Sequence, residues 1–175
     1  DAARLLGTLS REQPNSLILV PELLQVLVVA AECGWQPPAS LQFVAVGGAK
    51  VSRELLERAD AAGIPVHEGY GLSECASVVC LNTPASRRAG TVGRPLPHVR
   101  VRVDAAGQVH VAGNTMLGYL GDPPRAPLDE VATGDLGVLD DDGYLRLQGR
   151  MGNRFITGFG RNVSPEWVEC EISQR

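Results

Sequence analysis

Apolar residues fall in short unbroken runs along the first half of the chain and alternate with charged residues along the second. Asn15 to Val20 reads as a short strand or loop. Pro21 then occupies the first turn of a helix, where its fixed φ and missing N–H cost nothing. That helix runs through Glu32, with Gly34 as its stop. Leu23, Leu24, Leu27, Val28 and Ala31 share one face, and Val26, Val29 and Ala30 are apolar as well, so burial on most sides is expected. Leu41 to Val46 suits a buried parallel strand. Gly47-Gly48-Ala49-Lys50 turns into a second helix capped by Ser52 and ended by Gly63, with Glu54 in its first turn. Ile64 to Val66 is the next strand. Strand, helix and strand with short loops predict a right-handed crossover and a parallel sheet.

After about Asn82 the period shortens. Val99 to Val103 alternates with Arg100 and Arg102, Ala106-Gly107 turns, and Val109 to Val111 returns: a hairpin. Leu136–Leu139 and Tyr144–Leu147 form a second hairpin about Asp140-Asp141-Asp142-Gly143. Counting back from Gly143 puts Val138 where a calcium loop needs its first ligand, so the aspartates make a turn. From Gly149 a further element begins, with a strand over Phe155 to Gly158 and a helix opened by Ser164 and Pro165. The fold class is therefore α/β: a parallel strand–helix–strand portion followed by a small antiparallel β subdomain and a hinge into a second domain. The expected boundaries are 1–82, 83–148 and 149–175. The last helix stops after barely three turns, so the chain is expected to be part of something longer.

Composition narrows the function classes. With 44% hydrophobic residues among 175, a core can be buried, and a formal charge of −4 with scattered Lys and Arg leaves no footprint for nucleic acid. Leu17 to Ala31 is interrupted by Pro21, Glu22 and Gln25 and falls short of the ~20 apolar residues of a membrane span. No basic-then-apolar leader opens the chain. Cys33, Cys75, Cys80 and Cys170 show no metal or disulfide spacing, which makes a reducing cytoplasm the default compartment. His67, His98 and His110 stand singly and read as packed or partly exposed side chains.

Candidate chemistry gathers at Glu68-Gly69-Tyr70-Gly71-Leu72-Ser73-Glu74. Gly69 and Gly71 allow positive φ and close approach to a ligand. Tyr70 offers a flat face for a base. Ser73 can donate to a phosphate oxygen, and Glu74 can hold a hard divalent cation. A nucleophile elbow fails because Cys75 stands where the second glycine belongs, and a dinucleotide fingerprint fails because position 74 is Glu. This loop and the one at 47–50 would leave the carboxyl ends of adjacent strands, where open α/β sheets bind ligands.

Six stretches then occur in order: Gly47-Gly48-Ala49, Tyr70-Gly71-Leu72-Ser73-Glu74, Gly90-Thr91-Val92-Gly93-Arg94-Pro95, Leu117-Gly118-Tyr119 before Asp122-Pro123, Thr133-Gly134-Asp135-Leu136-Gly137, and Gly149-Arg150 with Gly158-Phe159-Gly160-Arg161-Asn162-Val163-Ser164-Pro165. From about residue 41 onward the chain resembles the AMP-forming adenylating superfamily of acyl- and aryl-CoA synthetases, luciferases and peptide-synthetase adenylation domains. The resemblance implies that Gly47, Gly48 and Ala49 pass beside adenine and acid substrate, with Gly69 and Gly71 flanking Tyr70, which stacks on adenine. It implies that Ser73 touches phosphate, Glu74 holds Mg²⁺, and Asp135 and Arg150 take the ribose hydroxyls. Asn153, where Asp or Lys is usual, would be the hinge. The implied reaction joins a carboxylic acid, expected to be fatty or a related acyl acid, to AMP from ATP. The acyl group then passes to coenzyme A. A carrier protein as acceptor, or a non-catalytic nucleotide-binding module, are the alternatives. The superfamily's phosphate loop and C-terminal lysine match no residue here, so this stretch by itself is expected to be inactive.

Overall fold

The computed structural model describes residues 1–121, 123, 128–153, 155–156, 162–163, 165 and 172. The chain packs as two units, Asp1–Glu68 and Gly69–Ser173.

The first unit opens with α1 (Ala2–Glu12), an element that the apolar pattern does not announce. Asp1 caps it by accepting from Ala3 N–H at 3.0 Å, and Gln13 ends it in the left-handed region at φ 47°. There follow β1 (Ser16–Leu19), α2 (Pro21–Glu32), β2 (Phe43–Val46), α3 (Arg53–Ala61) and the first half of β3 (Val66–Leu72). β1, β2 and β3 pair in parallel, with Ser16 opposite Phe43 and Val44 opposite Val66. Ser52 caps α3 as expected, accepting from Leu55 N–H at 3.1 Å. Leu24, Leu27, Val28, Val44, Ala59, Ile64 and Val66 fill the core between helices and sheet. The expectation that α2 is buried on most sides is corrected. Leu24, Leu27 and Val28 are buried, while Leu23 and Val29 remain 41% and 44% exposed, so one face alone meets the sheet. β1 is the edge of its sheet and carries Ile18 at 88% exposure.

In the second unit the later half of β3 pairs antiparallel with β4 (Ser77–Leu81), and β4 pairs with β5 (Arg94–Pro95). A separate four-stranded antiparallel sheet has the order β6 (Arg100–Val103), β7 (Gln108–Ala112), β8 (Glu130–Leu139), β9 (Leu145–Arg150). The expected hairpins are its β6–β7 and β8–β9 pairs, and β8 extends well before Leu136. Asp140 closes the second turn by accepting from the backbone N–H groups of Asp142 and Tyr144, which is why a turn and not an ion loop stands there. Val79, Cys80, Val109, Val111 and Leu145 form the core of this unit. β10 (Phe155–Ile156) and β11 (Asn162–Val163) make a short antiparallel pair. Ser164 and, apart from Pro165 and Ile172, the helix expected to follow it lie outside the described residues, as do residues 157–161 and Asp122. Among the described residues no helix is long and apolar enough to cross a membrane.

Candidate functional site

The reading of 69–74 as a glycine-rich loop is corrected: Gly69, Tyr70 and Gly71 belong to β3. Neither glycine takes a positive φ. A Cβ on Gly71 would lie 1.5 Å from the Ser77 carbonyl oxygen, and one on Gly69 would lie 2.9 Å from Leu81 Cδ1. The glycines are there because β4 runs against them, at a register shift between Tyr70 and Gly71. β3 ends in a single 3₁₀ turn, Ser73–Cys75, anchored by the fully buried Cys75. Ala76 and Ser77 then reverse the chain at φ 53° and 80°, a left-handed pair that non-glycine residues adopt only under constraint.

Tyr70 packs against the second core and aims its hydroxyl at β8. Tyr70 Oη donates to Asp135 Oδ2 at 2.5 Å, across 65 positions of sequence. Burial first, and then this bond to a carboxylate, push the phenol well above the usual tyrosine range. Asp135 stands opposite Arg150 in the β8–β9 register, and Arg150 Nε lies 3.1 Å from Asp135 Oδ1. The Asp135 side chain is 16% exposed and that of Arg150 62%, so the pair orients the carboxylate more than it stabilises the fold. Sequence reasoning assigns Thr133 no role. Its buried hydroxyl donates to Val109 O at 2.9 Å and accepts Asp135 N–H at 3.0 Å, which fixes the backbone beneath the carboxylate. The signal is present in Thr133-Gly134-Asp135, because a Thr two positions ahead of an N–H is a local turn acceptor. A carboxylate has about four lone-pair positions. With Tyr70 on Oδ2 and Arg150 on Oδ1, each oxygen keeps one acceptor position, enough for two further donors.

Ser73 is exposed and Glu74 half-buried in the 3₁₀ turn. Glu74 Oε1 accepts from Tyr119 Oη at 3.1 Å, and the Glu74 carbonyl accepts from Met116 N–H at 2.8 Å. No group of three or more His, Cys, Asp or Glu among the described residues is arranged to enclose a metal ion. A single accessible carboxylate fits Mg²⁺, which usually takes one or two protein carboxylates and completes its shell with water and phosphate oxygens.

Gly47, Gly48 and Ala49 follow β2 in the first unit. Gly48 has φ +87°, and Gly47 N–H donates to Leu19 O at 3.2 Å. The second unit thus brings Tyr70, Asp135 and Arg150 into direct contact and presents Ser73 and Glu74 from the end of the same strand. Asn153 ends a 3₁₀ turn, Met151–Asn153, directly after β9. Val44 and Val46 are 0% and 1% exposed in the first core, while Ala76 and Val78 are exposed in the second unit.

The profile of the family described as AMP-binding enzyme matches residues 1–120, beginning well before the first of the six motifs. A 2-succinylbenzoate–CoA ligase of Staphylococcus aureus is 30% identical over 185 aligned residues, 99% of this chain and 37% of that protein. A long-chain-fatty-acid–CoA ligase of Mycobacterium bovis is 32% identical over 131 residues, 72% of this chain and 22% of that protein. The O-succinylbenzoate coenzyme A synthetase of Bacillus subtilis, solved with its acyl-adenylate intermediate, superposes on 100% of this chain with TM-score 0.86 at 25% identity. The same enzyme solved with ATP and magnesium superposes with TM-score 0.83 at 26% identity. This chain spans 39% of each of these solved chains, and so well under half the length of all these relatives.

Proposed function

The chain belongs to the AMP-binding enzyme family, and from that premise we propose that it carries the nucleoside-binding part of an ATP-dependent, AMP-forming ligase that activates a carboxylic acid for transfer to coenzyme A. The observation that carries the proposal is the Tyr70–Asp135–Arg150 cluster. An aromatic ring and a carboxylate with one acceptor position left on each oxygen, flanked by a guanidinium, suit what an adenosine presents: a π face and a ribose with two adjacent hydroxyls. In this reading Tyr70 stacks on adenine, Asp135 accepts from the 2′- and 3′-hydroxyls, and Arg150 reaches the ribose. Ser73 meets a phosphate, and Glu74 holds the Mg²⁺ of ATP. Mg²⁺ supplies charge neutralisation on the phosphates. The rest falls to positioning by β3 and β8, since acyl-adenylate formation needs no nucleophile from the protein. Asn153 is the pivot, because it closes a turn at the junction after β9.

The coenzyme A acceptor is favoured over a carrier protein because both relatives aligned by sequence are CoA ligases by name. The acid is less confined than the resemblance implies. One relative acts on long-chain fatty acids, while the one aligned over 99% of this chain acts on an aromatic acid, 2-succinylbenzoate. The reading therefore keeps the carboxylate and leaves its substituent to a substrate panel.

The test is calorimetric titration of the 175-residue chain with AMP, repeated on Asp135→Asn. The expected result is saturable binding in the wild type, weakened about tenfold or more in the variant, where a charged acceptor becomes a neutral one. Identical binding by both proteins, or none by the wild type, would overturn the proposal.

A further inference from the structure

The stretch Leu117-Gly118-Tyr119 matches the superfamily pattern yet has no part in the cluster above, and its place in the fold gives it one. It lies in the long connection between β7 and β8. Gly113 leaves β7 at φ +114°, where a Cβ would stand 2.4 Å from His98 O, so the exit direction is fixed by close backbone approach. Thr115 Oγ1 then donates to Leu128 O, tying the two ends of the connection together. Between those ends the chain meets Glu74 twice: Met116 N–H donates to its carbonyl at 2.8 Å, and Tyr119 Oη to its Oε1 at 3.1 Å. Backbone and side chain of one residue are held by two members of a single four-residue stretch. Tyr119 is 61% exposed, so core packing does not account for where its ring lies.

Resting on the proposed role of Glu74, we infer that Tyr119 is a positioning residue for metal-linked ATP binding: its hydroxyl holds Oε1 of Glu74 so that Oε2 is presented to the cation. A glutamate on a solvent-facing turn samples several rotamers, and a partner that fixes one oxygen removes that freedom before the metal arrives. The bond runs from a neutral phenol to a carboxylate, so it orients the ligand without cancelling its charge.

The experiment uses the 175-residue chain as wild type, Tyr119→Phe, Glu74→Gln and the double variant. Manganese retained in the presence of saturating ATP is read from the electron paramagnetic resonance of free Mn²⁺. AMP affinity is measured separately in EDTA by calorimetry. Tyr119→Phe is expected to weaken Mn²⁺ retention about tenfold, to leave AMP affinity in EDTA unchanged, and to add nothing in the Glu74→Gln background. Retention equal to or tighter than wild type in Tyr119→Phe, with retention lost in Glu74→Gln, would overturn this inference and leave the role of Glu74 standing. Equal loss of AMP affinity in EDTA would also overturn it, reducing Tyr119 to a structural part of the loop. If Glu74→Gln retains manganese like wild type, or the wild type retains none with ATP, the reading of Glu74 falls and this inference with it.

Discussion

Replacing Tyr70 with phenylalanine would keep the ring and remove one hydroxyl, and the consequence should be visible at high pH. A free tyrosine ionises near ~10, and burial with the Asp135 bond raises Tyr70 above that in the folded chain. The folded state therefore holds this proton where the unfolded chain releases it. The stabilisation is complete below ~10 and is lost as pH rises beyond it. Thermal midpoints taken between about pH 9 and 11.5 should fall more steeply in wild type than in Tyr70→Phe, and parallel curves would refute the assignment. At this scale the sequence is informative where chemistry and motif coincide. The resemblance names Tyr70, Asp135 and Arg150, and the structure joins them. Thr133 and Tyr119 lie inside the motifs without a role, because their work depends on partners such as Val109, 24 positions away, and Glu74, 45 away. Local pattern does not encode such distances.

At the scale of elements, glycine has two meanings that sequence alone does not separate. Those of β3 read as conformational freedom, whereas they are sites of contact with β4. Gly71→Ala should cost more than about 2 kcal/mol, since the Ser77 backbone must move to admit the methyl group. Gly7 is the opposite case: it sits on an exposed turn of α1, and a Cβ added there would meet nothing within 4 Å. Gly7→Ala should stabilise by about 0.5–1 kcal/mol through helix propensity and a less disordered unfolded chain. Urea unfolding of both variants checks the pair, and a destabilised Gly7→Ala or a neutral Gly71→Ala would contradict it. α2 and α3 are legible because Pro21 and Ser52 mark their starts unambiguously. α1 is not, having Leu5, Leu6 and Leu9 as its apolar contribution and Leu9 alone fully buried. β4 escapes because five residues with two buried neighbours, Val79 and Cys80, follow neither a strand nor a helix period.

For the molecule as a whole, the α/β class and the change to antiparallel structure are readable from the shift between unbroken and alternating apolar runs. The point of division is less so. Composition changes near Asn82, while packing divides the chain after Glu68, inside β3. One strand therefore pairs in parallel through Glu68 and antiparallel from Gly69, and no feature of Val66-His67-Glu68-Gly69-Tyr70 announces the change of partner. Two separate cores imply two sets of opening energies. Leu27→Ala should lower hydrogen-exchange protection at Val44 and Val66 more than at Val109 and Val111, and Leu145→Ala should do the reverse. Uniform loss throughout in both variants would show a single cooperative unit instead.

The outer edge of β1 has a consequence for handling the polypeptide. Four residues of strand, with Ile18 projecting from them almost fully exposed, have no further strand beside them among the described residues and no lysine, proline or bulge to discourage pairing. Such an edge is a template for further strands, whether from a larger polypeptide that contains this span or from a neighbouring copy. Concentrated preparations should accordingly be lost to self-association before they are lost to unfolding.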